Sequence, residues 1–95
     1  MAIQKKWDKY EAAILLDYYM QYLNERLSRK EVIQIVSEKL RELAKTRNII
    51  IDNVYRNING ITFQMHSMES AYKGYTVVKP ASKLFAETVN FANFL

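Results

Sequence analysis

The chain has 95 residues, a formal net charge of +4 and no cysteine, which excludes a disulfide framework and a thiolate metal site. It opens without the apolar core of a signal peptide, and its apolar runs are shorter than the roughly 20 residues that span a bilayer, so we expect one small cytoplasmic domain. Two glycines and one proline favour helices over many short strands, and we predict an all-α bundle of about five helices.

The first helix is predicted over residues 8–25. Asp8 and Glu11 have the spacing of a capping box, in which each side chain accepts a hydrogen bond from the backbone amide of the other residue. Apolar side chains then repeat at helical spacing on two faces. The helix therefore either lies at the centre of the domain or offers its second face to a partner. The first face carries Ala12, Leu15, Leu16, Tyr19 and Leu23, and the second carries Tyr10, Ile14 and Tyr18.

The second helix is predicted over residues 28–45, where Ser28 and Glu31 form another capping-box pair. One of its faces is apolar, and the opposite face is charged, which is typical of a surface in contact with solvent. The apolar face carries Val32, Ile33, Val36, Leu40 and Leu43, and the charged face carries Lys30, Glu38, Arg41, Glu42 and Lys45.

A β-branched segment follows at residues 49–51. Because an isolated pair of strands is marginally stable, we predict a buried connection there rather than a strand. Asp52 is then placed to cap a short third helix over residues 54–57.

The fourth helix is predicted to begin at Gly60. Asn59 lies at its N-cap position, with Ile58 and Phe63 as a hydrophobic staple around the cap. Together with the short helix before it, this start predicts a helix-turn-helix-like junction near residues 57–60. The side chains predicted to face the core are Ile61, Met65, Met68 and Tyr72, and those predicted to face solvent are Thr62, Gln64, His66, Ser67, Ser70 and Lys73.

Gly74 is expected to end this helix in the left-handed conformation, and Pro80 separates it from a last helix over residues 82–95. Apolar residues continue to Leu95 without a cap or a polar tail, so we expect the chain to be the N-terminal module of a longer polypeptide. The last helix is predicted to bury Leu84, Phe85, Val89, Phe91 and Ala92.

The sequence Tyr-Arg-Asn-Ile-Asn-Gly-Ile at 55–61, with Trp7 and Asp8, the run at 15–19 and the helix at 28–43, resembles the N-terminal helical head region of HNH-type modification-dependent restriction endonucleases. A fainter similarity is to SANT/Myb-type helical DNA-binding domains, whose repeated tryptophans this chain lacks. The first resemblance implies a bacterial module attached to restriction, defence or other DNA-processing enzymes. It does not imply catalysis here, since an HNH nuclease needs several histidines and this chain has one.

The predicted junction concentrates side chains that suit DNA. Arg56 suits a phosphate or a guanine, and Asn57, Asn59 and Gln64 suit adenine edges if their helix enters a major groove. Each has a structural alternative, because asparagine also caps helices and Arg56 also suits a tether between helix ends. The predicted nucleic-acid-binding residues are Arg56, Asn57, Asn59, Thr62, Gln64, Lys73, Lys79 and Lys83.

We predict no catalytic residue, no metal site and no cofactor. The one histidine, His66, has Ser70 rather than a metal ligand one turn later, which disfavours a metal site. Ser67 and Glu69 lie near it, but this arrangement implies neither an activated nucleophile nor an oxyanion hole. We therefore expect a binding module rather than an enzyme.

Three functions remain open. The leading hypothesis is a DNA-associated module, since beyond residue 52 only two carboxylates oppose four cations. The alternative is a protein-interaction or dimerisation module, with a second copy as a candidate partner, that uses Tyr10, Ile14, Tyr18 and the last helix. A third possibility is an enzyme subdomain that positions a downstream nuclease domain. Basic residues that converge with Thr62 and Gln64 would favour DNA, whereas a dominant aromatic patch would favour a protein partner.

Overall fold

The structure, a computed structural model, describes residues 6–94 and contains four helices in that range. They are α1 (Lys9–Leu23), α2 (Arg29–Thr46), α3 (Ile58–Lys73) and α4 (Lys83–Phe94). These residues include no strand, which confirms the all-α prediction, but the predicted count of five helices is wrong. Leu95, the predicted end of the last helix, and residues 1–5 lie outside the described range.

Helix α1 lies at the centre of the bundle. It contacts each of the other three helices, whereas α2 and α4 make no contact with each other within residues 6–94. Because α1 has neighbours on several sides, its first apolar face is buried as predicted, except for Leu23 at its end, which is 38% exposed. The core contains Ala12, Leu15, Leu16 and Tyr19 of α1, Val32, Ile33, Val36 and Leu40 of α2, Ile61, Met65 and Met68 of α3, and Phe85 and Val89 of α4.

Helices α1 and α2 begin at the predicted residues, and local hydrogen bonds stabilise both starts. The Asp8 carboxylate accepts from the Glu11 amide at 2.9 Å, and the Glu11 carboxylate accepts from the Asp8 amide at 3.1 Å. Ser28 and Glu31 form the same reciprocal pair. Both capping boxes are therefore confirmed. α1 ends two residues before the predicted position, because Glu25 has a φ of 59°, which does not continue a right-handed helix.

The connection between α2 and α3 spans residues 47–57 and contains a turn in place of the predicted short helix. The Asp52 carboxylate accepts hydrogen bonds from the Val54 and Tyr55 amides, both at 3.0 Å, and so stabilises this turn instead of a helix. The β-branched part is less buried than predicted, since Ile50 is 77% exposed. The connection is also longer than the three or four residues of a helix-turn-helix turn.

Asn57 rather than Asn59 caps α3. Its side-chain oxygen accepts a hydrogen bond from the Gly60 amide at 2.8 Å, so the helix begins at Ile58, earlier than predicted. Both asparagines suit an N-cap by residue type, and the choice follows from the buried turn that directly precedes Asn57. Ile58 and Phe63 do not form the predicted staple, because they are 48% and 63% exposed.

Two serines of α3, predicted to face solvent, are buried under the connection to α4. The Ser70 hydroxyl donates to the Lys79 carbonyl at 2.6 Å and accepts from the Val77 amide at 3.0 Å. Ser67 forms the same kind of pair with the backbone at residues 80–82, at 3.0 and 2.9 Å. Short hydroxyl side chains therefore hold this connection against α3.

Helix α4 is buried on one side. The Ser82 hydroxyl accepts a hydrogen bond from the Phe85 amide at 3.1 Å at the start of the helix. Phe85 and Val89 are buried as predicted. The predicted burial of Phe91 and Ala92 is wrong, since both are exposed. α4 packs only against α1 and α3 in the described range, and this leaves Phe91 and Phe94 67% and 88% exposed.

The Tyr19 side chain is fully buried in the core. Its ring packs edge-on against Tyr72, with ring centroids 5.6 Å apart, while Tyr72 itself, predicted to be buried, is 39% exposed. The Tyr19 hydroxyl has no hydrogen-bond partner within residues 6–94. Burial, together with the nearby Glu69 carboxylate, raises the pKa of Tyr19 to about 12.

We expect Tyr19→Phe to keep the free energy of unfolding unchanged or to raise it by about 1 kcal/mol, because a buried hydroxyl without a hydrogen bond is costly. In the wild type the folded state holds the phenolic proton more tightly than the unfolded chain does. The stability that depends on the protonated Tyr19 phenol is therefore fully present below pH 10. It is lost as the pH rises from about 10 to about 12. Urea unfolding at neutral and alkaline pH measures both effects.

The control is Tyr75→Phe, which removes a hydroxyl from a tyrosine that is 64% exposed. It shows how much of the effect arises from the loss of any tyrosine hydroxyl. A Tyr19→Phe variant that loses more than about 1 kcal/mol at pH 7 would show that the hydroxyl is hydrogen-bonded in solution.

Candidate nucleic-acid interface

Arg56 lies inside the domain. The Arg56 and Glu11 side chains are 2% and 4% exposed, and the guanidinium donates from Nε to Oε2 at 2.7 Å and from Nη2 to Oε1 at 3.2 Å. Its Cζ also lies 4.5 Å from the Tyr55 ring centroid and 5.1 Å from that of Trp7. This ion pair joins the turn before α3 to α1. The contacts correspond to the intramolecular tether and not to a surface contact with DNA.

The backbone around Arg56 is shaped to place this side chain. Arg56 has a φ of 49°, a left-handed conformation that costs about 1–3 kcal/mol for a residue with a Cβ. The Ser37 hydroxyl donates to the Arg56 carbonyl at 2.7 Å. Arg41, predicted on the charged solvent face of α2, donates to the carbonyls of Asp52 and Tyr55. Helix α2 therefore holds the turn in the shape that directs the guanidinium toward α1.

The other predicted junction residues take different positions. The Asn57 amide oxygen is used by the cap of α3. Gln64 is half-buried and lines a cavity of about 120 Å³ beside the turn. Thr62 is half-buried, and its hydroxyl donates to the Ile58 carbonyl at 2.8 Å. Asn59 is exposed, so its amide is the most accessible of this group.

The first half of α3 presents an open surface that we name the α3 face, formed by Asn59, Thr62, Phe63 and His66. Phe63 is 63% exposed, and His66 is half-buried. In the second half of the helix the connection at 75–82 covers one side, through its hydrogen bonds with the two buried serines. The α3 face is therefore limited to the first turns of the helix.

Cationic side chains border the α3 face on both sides. On one side, Lys79 Nζ lies 5.8 Å from the centroid of the Phe63 ring. On the other side, Arg29 Nη2 lies 3.2 Å from His66 Nδ1. Arg29 and Lys30 also line a groove of about 630 Å³ between α2 and α3. Positive charge therefore flanks an exposed helix start from two directions.

Glu69 is the one acidic residue of α3, and cations surround its carboxylate. The carboxylate lies 3.9 Å from Arg29 Nη1 and 4.0 Å from Lys73 Nζ. Lys73, a predicted phosphate contact, is thus close to a carboxylate of its own helix. Such partly exposed pairs contribute little to stability. The two cations nevertheless offset the negative charge of the Glu69 carboxylate.

The remaining predicted residues lie on other helices. Lys83 is the first residue of α4, and its side chain is exposed. On α1, Tyr10 is 60% exposed, whereas Ile14 and Tyr18 are half-buried and pack against the core. The predicted partner stripe on α1 is therefore accessible mainly at Tyr10.

Four residues in or beside the α3 face were not among the predicted contacts: Arg29, Lys30, Phe63 and His66. The sequence pattern placed Lys30 on a solvated face and Phe63 in a staple, and it assigned no role to Arg29. Arg29 meets His66 because the start of α2 lies beside the middle of α3. Since that contact joins residues 37 positions apart, no local spacing signals it.

Comparisons of this chain with models of known protein families, with curated proteins and with solved structures each gave no match. Among the described residues, no helix combines the length and the apolar character needed to cross a bilayer. The chemistry of the α3 face and its flanks is therefore the basis for a functional proposal.

Proposed function

We propose that this domain is a non-catalytic module that binds double-stranded DNA through the α3 face, as part of DNA-processing or restriction proteins. The observation that supports the proposal is an exposed helix start with cations on both flanks, Lys79 on one side and Arg29 with Lys30 on the other. The formal net charge of +4 adds long-range attraction to phosphates.

The first turns of α3 suit contact with base edges. A major groove about 12 Å wide admits an α-helix. Because Asn57 provides the cap, the exposed Asn59 amide is available for the paired hydrogen bonds that asparagine forms with adenine. The Thr62 methyl group and the Phe63 ring suit contact with a thymine methyl group.

The flanking cations suit the phosphate backbone on either side of that groove. Lys30 and Lys79 each supply one positive charge. Lys73 supplies a third by exchanging its contact with Glu69 for a contact with a phosphate. Arg56 acts indirectly, since its ion pair with Glu11 fixes the turn from which α3 begins. Phosphate contacts of this kind give affinity and position, and the α3 face supplies sequence preference.

The test is fluorescence anisotropy of a labelled duplex, titrated with the protein between about 50 and about 200 mM salt. The double variant Lys30→Ala with Lys79→Ala is expected to bind more weakly. The slope of log affinity against log salt should fall by about 2, because each lost phosphate contact removes about 0.9 from it.

The matched control is Lys39→Ala with Lys45→Ala, which removes the same charge from elsewhere on α2. Lys45 lies roughly 22 Å along the helix from Lys30. The control should keep the wild-type salt slope. Absence of binding at about 50 mM salt, or an equal loss in both double variants, would contradict the proposal.

A further inference from the structure

A groove of about 560 Å³ lies between α1 and α4, and none of its lining residues belongs to the α3 face. Helix α1 contributes Tyr10 and Ala13, and α4 contributes Leu84 and Phe91. The groove therefore combines Tyr10, the exposed end of the second face of α1, with the exposed Phe91 of α4. Each wall therefore has an aromatic and an aliphatic side chain, and the lining also includes Lys9, Glu87 and Thr88.

Three aromatic side chains in and next to the groove are largely uncovered. Tyr10 is 60% exposed, Phe91 is 67% exposed, and Phe94, about one turn further along α4, is 88% exposed. At about 200 Å² per side chain they leave roughly 400 Å² of aromatic surface in water, which matches the largest apolar patch of a typical monomer. Two copies in contact would bury roughly 800 Å² from these side chains alone, about half of a standard interface.

The charges that line the groove are self-complementary. Lys9 lies on the α1 wall and Glu87 on the α4 wall. In a two-fold interface the same patch meets itself, so Lys9 of one copy faces Glu87 of the other, and this pair occurs twice. We propose that this groove is the interface of a homodimer, in which Phe91 of each copy packs into the groove of the other. The proposal does not depend on DNA binding.

Sedimentation equilibrium over a concentration series tests the proposal. The wild-type chain is expected to form a reversible dimer, and Phe91→Ala is expected to raise the dissociation constant about tenfold or more. The matched control is Phe63→Ala, which removes a ring of similar exposure, 63%, from α3. Circular dichroism shows whether each variant remains folded.

A charge-swap experiment identifies the interface itself. Lys9→Glu and Glu87→Lys should each weaken self-association, because each variant places like charges opposite one another in its own dimer. An equimolar mixture of the two variants should regain dimer formation, since both cross-pairs are then of opposite charge. A wild-type chain that stays monomeric at about 100 μM, or a mixture that stays monomeric, overturns the proposal, as does an equal effect of Phe63→Ala.

Discussion

Replacing Arg56 with methionine is expected to lower the free energy of unfolding by about 3–5 kcal/mol. The substitution leaves the Glu11 carboxylate, whose side chain is 4% exposed, without its hydrogen bonds to the guanidinium. Methionine keeps an unbranched apolar stem and the same Cβ, so the left-handed backbone at this position costs about the same in both proteins. Urea unfolding followed by circular dichroism measures the loss.

Two further variants separate the charge effect from a general loss of packing. Arg26→Met, at an exposed position, is expected to change the free energy of unfolding by no more than about 0.5 kcal/mol. The double variant Glu11→Leu with Arg56→Met removes both charges and should recover part of the loss, because it also removes the capping hydrogen bond that Glu11 accepts from the Asp8 amide. A loss below about 1 kcal/mol for Arg56→Met alone would mean that water enters the site and solvates Glu11.

Phe85→Ala is the second substitution with a large expected effect, about 3–5 kcal/mol. Phe85 is 1% exposed, and its ring packs edge-on against Trp7 with ring centroids 5.5 Å apart. It joins α4 to the segment before α1. In the described part of α4, Val89 is the other buried side chain, so the helix has little apolar contact with which to compensate for the cavity.

Thermal and urea unfolding measure the Phe85→Ala effect, and native-state hydrogen exchange locates it. The amides of α4 are expected to lose protection before those of α1 and α2, because α4 contributes the fewest buried side chains. Phe63→Ala, at an exposed site, should change the free energy of unfolding by no more than about 0.5 kcal/mol. Uniform loss of protection over all four helices would argue that α4 unfolds only with the whole domain.

Features that depend on neighbouring residues could be predicted from the sequence. The capping boxes at Asp8 and Ser28 join residues three positions apart, so their geometry follows from the backbone of a helix start. Gly74 takes the expected left-handed conformation, with a φ of 80°, at the end of α3. The buried faces of α1 and α2 follow from apolar spacing in the same way.

Features that depend on distant partners could not be predicted. Ser67 and Ser70 have the residue type of a solvent face, and only the returning chain at 75–82 gives their hydroxyls backbone partners. Asn57 and Asn59 are equivalent as caps by residue type. The buried position of Arg56 decides between them, because it sets where the turn ends and α3 begins.

The sequence by itself determined the helical class and the starts of α1 and α2, because composition, apolar spacing and local hydrogen bonds depend on residues close together in the chain. Only the tertiary structure decided that Arg56 pairs with Glu11, 45 residues away, and that cations from α2 and from the connection before α4 flank α3. It also decided that Phe91 remains exposed. These outcomes depend on which side of each helix has a neighbour, which periodicity within one helix does not specify.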